Sequence, residues 1–158
     1  MQKFKLEKIV VSAGLGRLRN QASFEDKVLP AVEEELALVT GQKPSRRPAK
    51  KSIAGFKTRE GDVVGLQVTL RGKRMEDFLK RLVNLVMPRV KDFRGIDLKN
   101  VDGNGNLNVG FREQFVFPEI LAEKSKVNFG LQVTFVVPGK NRDKAIDFYR
   151  SVGIPLKK

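Results

Sequence analysis

Seven lysine and arginine side chains lie within residues 43–59, and they are the densest cluster of functional side chains in this sequence. Cationic groups at this density suit phosphate binding, since each one that contacts a duplex phosphate adds about 0.9 to the slope of log affinity against log salt. Residues 42–62 also contain two prolines and two glycines, which predicts an exposed basic loop over about residues 50–62. The alternative is a solvated loop without a ligand. The seven residues are Lys43, Arg46, Arg47, Lys50, Lys51, Lys57 and Arg59.

A second group of basic residues brackets a helix predicted at about residues 73–87. These side chains stand before and after the apolar stripe of that helix, so they are expected to extend the basic surface of the loop. They are Arg71, Lys73, Arg74, Arg89, Lys91 and Arg94.

Histidine and cysteine are both absent from the 158 residues. The commonest general base and metal ligand is therefore missing, as are thiolate nucleophiles, zinc thiolates and disulfides. The 31 basic residues exceed the 18 acidic ones by 13, and such a surplus attracts polyanions at long range. We predict a nucleic-acid-binding protein that is not an enzyme and needs no cofactor or metal. Two alternatives stay open: a metal-dependent nuclease using Asp102, Glu113 and Glu119, and an RNA chaperone of broad affinity.

The chain is expected to be one cytoplasmic domain over residues 1–158. No stretch approaches the roughly 20 apolar residues of a membrane-spanning helix. Charges at Lys5, Glu7 and Lys8 interrupt any signal-peptide core.

Alternating apolar and polar residues predict the strands of one sheet. The clearest strand is 63–71, and others are predicted over 3–13, around 107–111 and over 127–137. Their outward positions are mostly small or hydrogen-bonding, which suits close approach to a sugar-phosphate backbone. These positions are Ser12, Gln67, Thr69, Asn108, Arg112, Gln132 and Thr134.

Three helices are predicted, two between strands and one after the last strand. Ser23 and Asp26 predict a capping box, followed by a helical turn and a main helix that begins near Pro30 and ends at Gly41. The second helix is that at 73–87, and the third spans about 142–151 with Asn141 as its cap. This order predicts an α+β fold: a mainly antiparallel sheet with helices packed on one face and the other face open for RNA.

The segment 102–106, DGNGN, predicts a hairpin turn rather than a calcium loop, because the sixth loop position is Leu107 where that loop requires glycine. Phe111 is expected to pack in the core and not to stack on bases.

Nine short segments, in order and covering nearly the whole chain, resemble the universal large-subunit ribosomal protein family that binds 5S ribosomal RNA, known in bacteria by the number five. They are KIVV (8–11), GLG (14–16), TGQKP (40–44), AKKSIAGFK (49–57), VTLRG (68–72), PRVKDFRG (88–95), DGNGN (102–106), REQ (112–114) and FPEI (117–120).

The resemblance implies a structural protein of the central protuberance of the large ribosomal subunit. Its partners would be 5S rRNA, 23S-type rRNA, P-site tRNA, neighbouring ribosomal proteins of the central protuberance and proteins of the small-subunit head. The implied 5S rRNA contacts are Ser12, Gln42, Lys43, Arg46, Gln67, Thr69, Arg71, Arg112 and Thr134. The implied tRNA-binding loop residues are Lys50, Lys51, Ser52, Ile53, Gly55, Phe56, Lys57 and Arg59. Additional basic RNA contacts are expected from Lys73, Arg74, Arg89 and Arg94.

Two departures from the family pattern are expected. The sequence begins close to the first strand, so the family's N-terminal helix is expected to be missing. Ser12 also stands where asparagine is common, so any contact by that amide is expected to be shortened or replaced by water.

Overall fold

Five strands form one antiparallel sheet, with three α-helices on its buried side, in a computed structural model that describes residues 5–52, 58–91, 93–125 and 127–158. The strand order is β2-β3-β1-β5-β4, so the first strand lies at the centre. The predicted α+β fold is confirmed. The strands are β1 Lys8–Gly14, β2 Ser45–Pro48, β3 Val63–Leu70, β4 Leu107–Phe111 and β5 Leu131–Val136. The helices are α1 Leu29–Thr40, α2 Gly72–Arg81 and α3 Arg142–Ser151.

Alternate residues of four strands form the floor of the core. Ile9 of β1 pairs with Leu70 of β3 and with Phe135 of β5, and all three are fully buried. The residues between them are mostly half-buried or exposed. Because side chains alternate across a strand, this pattern separates an apolar face under the helices from an uncovered face.

The entry to α1 differs from the predicted capping box. Ser23 has a left-handed backbone (φ 60°), and its side chain caps nothing. Its carbonyl instead accepts from the N–H of Val28, five residues on, at 3.4 Å in the π-helical turn Phe24–Val28, and also from the N–H of Lys27 at 2.8 Å. The capping-box prediction was wrong because the backbone of residue 23 satisfies this turn.

The other helix boundaries confirm their sequence signals. Pro30 lies in the first turn of α1, and Gly41 (φ 77°) ends that helix by donating to the carbonyl of Ala37 at 2.7 Å. The carboxamide oxygen of Asn141 accepts from the N–H of Lys144 at 3.0 Å, which caps α3. α2 continues through a π-helical turn and ends in the 3-10 turn Met87–Arg89. Among the described helices, none is long and apolar enough to cross a membrane.

The last strand is shorter than the predicted 127–137 because one buried side chain takes its first backbone groups. Gln114, with no exposed surface, donates to the carbonyl of Val127 at 2.6 Å and accepts from the N–H of Phe129 at 3.1 Å. The ladder therefore begins at Leu131.

The predicted hairpin turn is present at residues 102–106. Asp102 accepts from the N–H groups of Asn104 and Asn106, both at 2.9 Å, and Val101 bridges Leu107. Phe111 is buried and packs edge-on against Phe117, as predicted for a core residue.

Candidate nucleic-acid interface

A row of serine, glutamine and glycine residues crosses the uncovered face of all five strands. In strand order it consists of Ser45, Gln67, Ser12, Gln132 and Gly110, each paired with the next across a ladder. With strands about 4.8 Å apart, the row is roughly 19 Å long. Within the described parts of the chain, the Gln67 and Ser12 side chains form no hydrogen bond, so their polar atoms are available to a ligand.

A second row lies one step along the strands and is partly preorganised. It consists of Thr69, Val10, Thr134 and Asn108. The Asn108 carboxamide oxygen accepts from Thr134 Oγ1 at 2.8 Å and from the Gln132 amide at 3.0 Å. Because the Thr134 proton is used in this way, its hydroxyl oxygen presents acceptor lone pairs to the open side.

Basic residues stand at the β2–β3 edge of these rows. Gln42 connects them: its amide donates to the carbonyl of Thr69 at 3.0 Å, and its oxygen accepts from Arg74 at 3.1 Å. Lys43 and Arg71 are exposed beside this link, just before β2 and just after β3. The structure therefore brings together the predicted residues Gln42, Thr69 and Arg74.

Arg46 lies on the opposite face from the other predicted contacts. It pairs with Leu66, a core residue, and its guanidinium binds Glu33 of α1 at 2.7 Å. Arg47 pairs with Gly65 and shares the open face with Ser45. Arg47 was predicted as a member of the basic group at residues 43–59 but not as a 5S rRNA contact. All four β2 residues are exposed, so no apolar alternation marks its faces.

The basic loop is closed by hydrogen bonds at its base. Ala49 donates to the carbonyl of Asp62 at 2.7 Å, and Gly61 donates to the carbonyl of Ala49 at 2.9 Å. The Asp62 carboxylate accepts from the Arg59 N–H at 2.8 Å and from Arg19 at 2.7 Å. The Arg59 N–H and the Arg19 guanidinium lower the pKa of Asp62.

The remaining predicted residues lie in the basic loop, in the first turn of α2, after β4 and beyond the end of α2. Lys50, Lys51, Ser52 and Arg59 are exposed, whereas Ile53, Gly55, Phe56 and Lys57 lie outside the described residues. Lys73 is exposed in the first turn of α2, and Arg112 is exposed directly after β4. Arg89 and Arg94 are exposed beyond the other end of α2, and no described contact joins them to the open face.

Comparison with known proteins identifies the family. The family model described as ribosomal protein L5 matches residues 1–59, and the model of the C-terminus of the same ribosomal family matches residues 63–156. The chain belongs to the ribosomal protein L5 family. The two matched regions contribute adjacent strands to one sheet, since β1 lies between β3 and β5.

Curated relatives of the L5 family match over nearly the whole chain. The large ribosomal subunit protein uL5 of Carboxydothermus hydrogenoformans is 45% identical over all of this chain and 86% of its own length. Those of Fusobacterium nucleatum and Heliobacterium modesticaldum are 47% and 48% identical, covering 98% and 99% of this chain and 82% and 85% of theirs. The chain is thus a structural protein of the large ribosomal subunit. Its location is the cytoplasmic ribosome, and its partner class is ribosomal RNA.

Membership in the L5 family also shows that the chain is not an enzyme, and the nuclease alternative has no geometric support. Asp102 closes the turn described above, and Glu119 forms an ion pair with Arg81 at 2.6 Å. Within the described residues, no three acidic side chains converge on a metal position.

Proposed function

We propose that this L5 family protein binds 5S ribosomal RNA through the uncovered sheet face and contacts P-site transfer RNA through the basic loop at residues 50–62. Both contacts would lie in the central protuberance of the large subunit. 23S-type rRNA and the neighbouring proteins of the protuberance and the small-subunit head would complete the surroundings. No cofactor is needed for these roles.

The row from Ser45 to Gly110 is the observation that carries the 5S assignment. A-form RNA exposes 2′-hydroxyls and phosphates on a wide, shallow minor groove, which side chains recognise by shape and hydrogen bonding. At the serine and glycine positions of the row, the strand backbone can come close to such a surface. Gln67 and Ser12 offer donors and acceptors, and Thr134 offers an acceptor to a 2′-hydroxyl.

The basic edge supplies affinity that the polar rows lack. Lys43, Arg47, Arg71 and Arg74 are all exposed, and they stand next to the rows along β2 and at the end of β3. Phosphate contacts position a protein on RNA and provide most of its salt-dependent attraction. The rows would therefore select the RNA shape, while the edge holds its backbone.

The loop supports the second contact because its base is fixed to the body of the protein. The Asp62 carboxylate connects the loop to Arg19, and Lys50 and Lys51 project exposed charge just beyond Ala49. A loop that is held at its base can reach a partner separate from the one on the sheet. This surface is where we place the elbow of a bound tRNA.

Binding and footprinting on purified 5S rRNA test the proposal. At moderate salt the protein should protect a defined segment of 5S rRNA and prefer it to an unrelated RNA of equal length. The double variant Gln67→Ala/Gln132→Ala should lose this preference, whereas Lys50→Gln/Lys51→Gln should keep it and lose affinity for tRNA. Equal affinity for every RNA would support the chaperone alternative, and absence of a 5S footprint would refute the sheet assignment.

A further inference from the structure

The hairpin turn at residues 102–106 contains a peptide step that can react with its own side chain. Of the eight asparagines in the sequence, only Asn104 is followed by glycine. The backbone nitrogen of the residue after an asparagine can attack the side-chain carbonyl carbon, and glycine hinders this attack least because it has no side chain. Asn104 is therefore the asparagine of this chain whose neighbour opposes the reaction least.

The reaction at such a step converts an amide into a carboxylic acid. The nitrogen of Gly105 loses its proton and forms a bond to Cγ of Asn104, while the C–N bond of the carboxamide breaks and ammonia leaves. Water then opens the resulting succinimide ring at either of its carbonyl groups. The products are aspartate, or isoaspartate with a main chain longer by a carbon atom, and both carry a new negative charge.

The folded turn withholds the attacking nitrogen. The N–H of Gly105 donates to the carbonyl of Asp102 at 3.0 Å, and the N–H of Asn104 donates to the Asp102 carboxylate at 2.9 Å. Asn104 is exposed, whereas Gly105 is buried. Water therefore reaches the side chain that would be attacked, but the nitrogen that would attack it is hydrogen-bonded and removed from solvent.

Helix α3 holds the other side of Gly105. The fully buried Tyr149 donates its hydroxyl proton to the carbonyl of Gly105 at 2.5 Å. A Cβ atom at Gly105 would lie 2.9 Å from the Ala145 Cβ and 3.2 Å from the carbonyl oxygen of Asn141, so α3 and its cap pack directly on this residue. Burial, followed by the Asp102 carboxylate, raises the pKa of Tyr149 above its ordinary value of 10.0, so the hydroxyl keeps its proton in mildly alkaline buffer.

We propose that Asn104 is a deamidation site that the docking of α3 keeps closed. While Tyr149 holds the carbonyl of Gly105, the peptide between residues 104 and 105 is restrained, and its nitrogen does not reach the carboxamide carbon. When α3 leaves the turn, the restraint is lost and the reaction proceeds as in an unfolded chain. The amount of modified Asn104 then reflects the time that α3 spends undocked. This inference does not depend on the proposed RNA contacts.

Incubation of the full chain in mildly alkaline buffer, folded and in concentrated guanidinium chloride, tests the proposal. Peptide mass spectrometry measures the conversion of amide to acid at each asparagine, and chromatography separates aspartate from isoaspartate. In the unfolded chain Asn104 should convert before the other asparagines. In the folded protein its conversion should be at least about tenfold slower, because the reaction must wait for local opening.

Matched variants locate the restraint. Tyr149→Phe removes the hydrogen bond to Gly105 and should speed conversion in the folded protein roughly 2- to 13-fold, which corresponds to the net contribution of one hydrogen bond. Ser151→Ala is the control, because its hydroxyl donates to the carbonyl of Phe148 within the same helix and has no described contact with the turn. Asn104→Gln should abolish the signal at this position, because the longer side chain forms the ring far more slowly.

A second measurement needs no variant. Guanidinium chloride below the unfolding transition should raise amide exchange at Gly105 and conversion of Asn104 in parallel, since both require the same opening. Conversion that does not follow this exchange would contradict the proposal. So would equal conversion in folded and unfolded chains, earlier conversion of another asparagine in the unfolded chain, or equal rates in folded Tyr149→Phe and Ser151→Ala.

Discussion

Arg19 and Asp62 form an ion pair of 2.7 Å that fastens the end of the basic loop to the short helical turn after β1. The two residues are 43 positions apart, and both side chains are at least three-quarters buried. The same carboxylate accepts from the Arg59 N–H, so one side chain closes the loop and attaches it to the body.

Removing the Asp62 charge should open the loop at its base. Asp62→Asn keeps the size of the side chain but weakens its attraction for Arg19, so trypsin should cleave after Lys50 and Lys51 faster than in the unmodified protein. Glu60→Gln, at an exposed position two residues away, should leave the cleavage rate unchanged. Equal rates in all three proteins would contradict the anchoring role.

Acid should open the same loop only at low pH. The pKa of Asp62 is lowered from 3.8 by its hydrogen bonds, so its stabilisation is fully present above that value and is lost as the pH falls through the folded pKa. The protection factors of the Ala49 and Gly61 amides, which compare their exchange rates with those of an unfolded chain at the same pH, should therefore stay high down to about pH 4 and fall below it. A fall in these protection factors already near pH 6 would show that another group controls the loop.

Shortening a side chain of the long row should weaken 5S rRNA binding without destabilising the fold. Gln67→Ala removes hydrogen bonds worth about 0.5–1.5 kcal/mol each, a loss of roughly 2- to 13-fold in affinity. Gln21→Ala, on an exposed turn away from the sheet, is the control. Filter binding measures the affinity and thermal unfolding measures the stability. A fall in melting temperature with unchanged affinity would mean that Gln67 has only a structural role.

Arg47 should act through charge and not through sequence recognition. Arg47→Gln should reduce the slope of log affinity against log salt by about 0.7–0.9, the contribution of one phosphate contact. Lys144→Gln, exposed on α3, should leave the slope unchanged. Arg46→Gln provides a second comparison, because that guanidinium is bound to Glu33 on the helix side. Equal slopes for Arg46→Gln and Arg47→Gln would contradict the assignment of faces in β2.

Gly105 should tolerate no side chain. Its backbone has φ +89°, and a Cβ atom there would come within 2.9 Å of the Ala145 Cβ, so Gly105→Ala should cost about 2–4 kcal/mol of unfolding free energy. Gly103→Ala, in the same turn with nothing within 4 Å, should stay within about 0.5 kcal/mol of the unmodified protein. Urea denaturation compares the two, and similar midpoints would refute the strain argument.

The sequence predicts best what short-range periodicity determines. The core face of β3 and the helix ends at Gly41 and Asn141 follow from alternation, glycine geometry and capping, and each depends on neighbours within a few residues. The two polar rows are predictable as a set of outward positions, although their pairing across five strands is not.

Features that depend on distant partners escape sequence reasoning. Gln114 is an ordinary polar residue until its partners at Val127 and Phe129 are known, and these shorten β5. The sequence also does not predict on which face of the sheet Arg47 lies, because an exposed edge strand shows no apolar alternation.

Because of the strand order, the long polar row contains residues that are synthesised at very different times. Its central member, Ser12, comes from the start of the chain, while its neighbour Gln132 is added only near the end. A chain that stops before Leu131 lacks β5 and hence the contiguous row. Any ligand that requires the whole row would therefore bind chains that include β5 and not such shorter fragments.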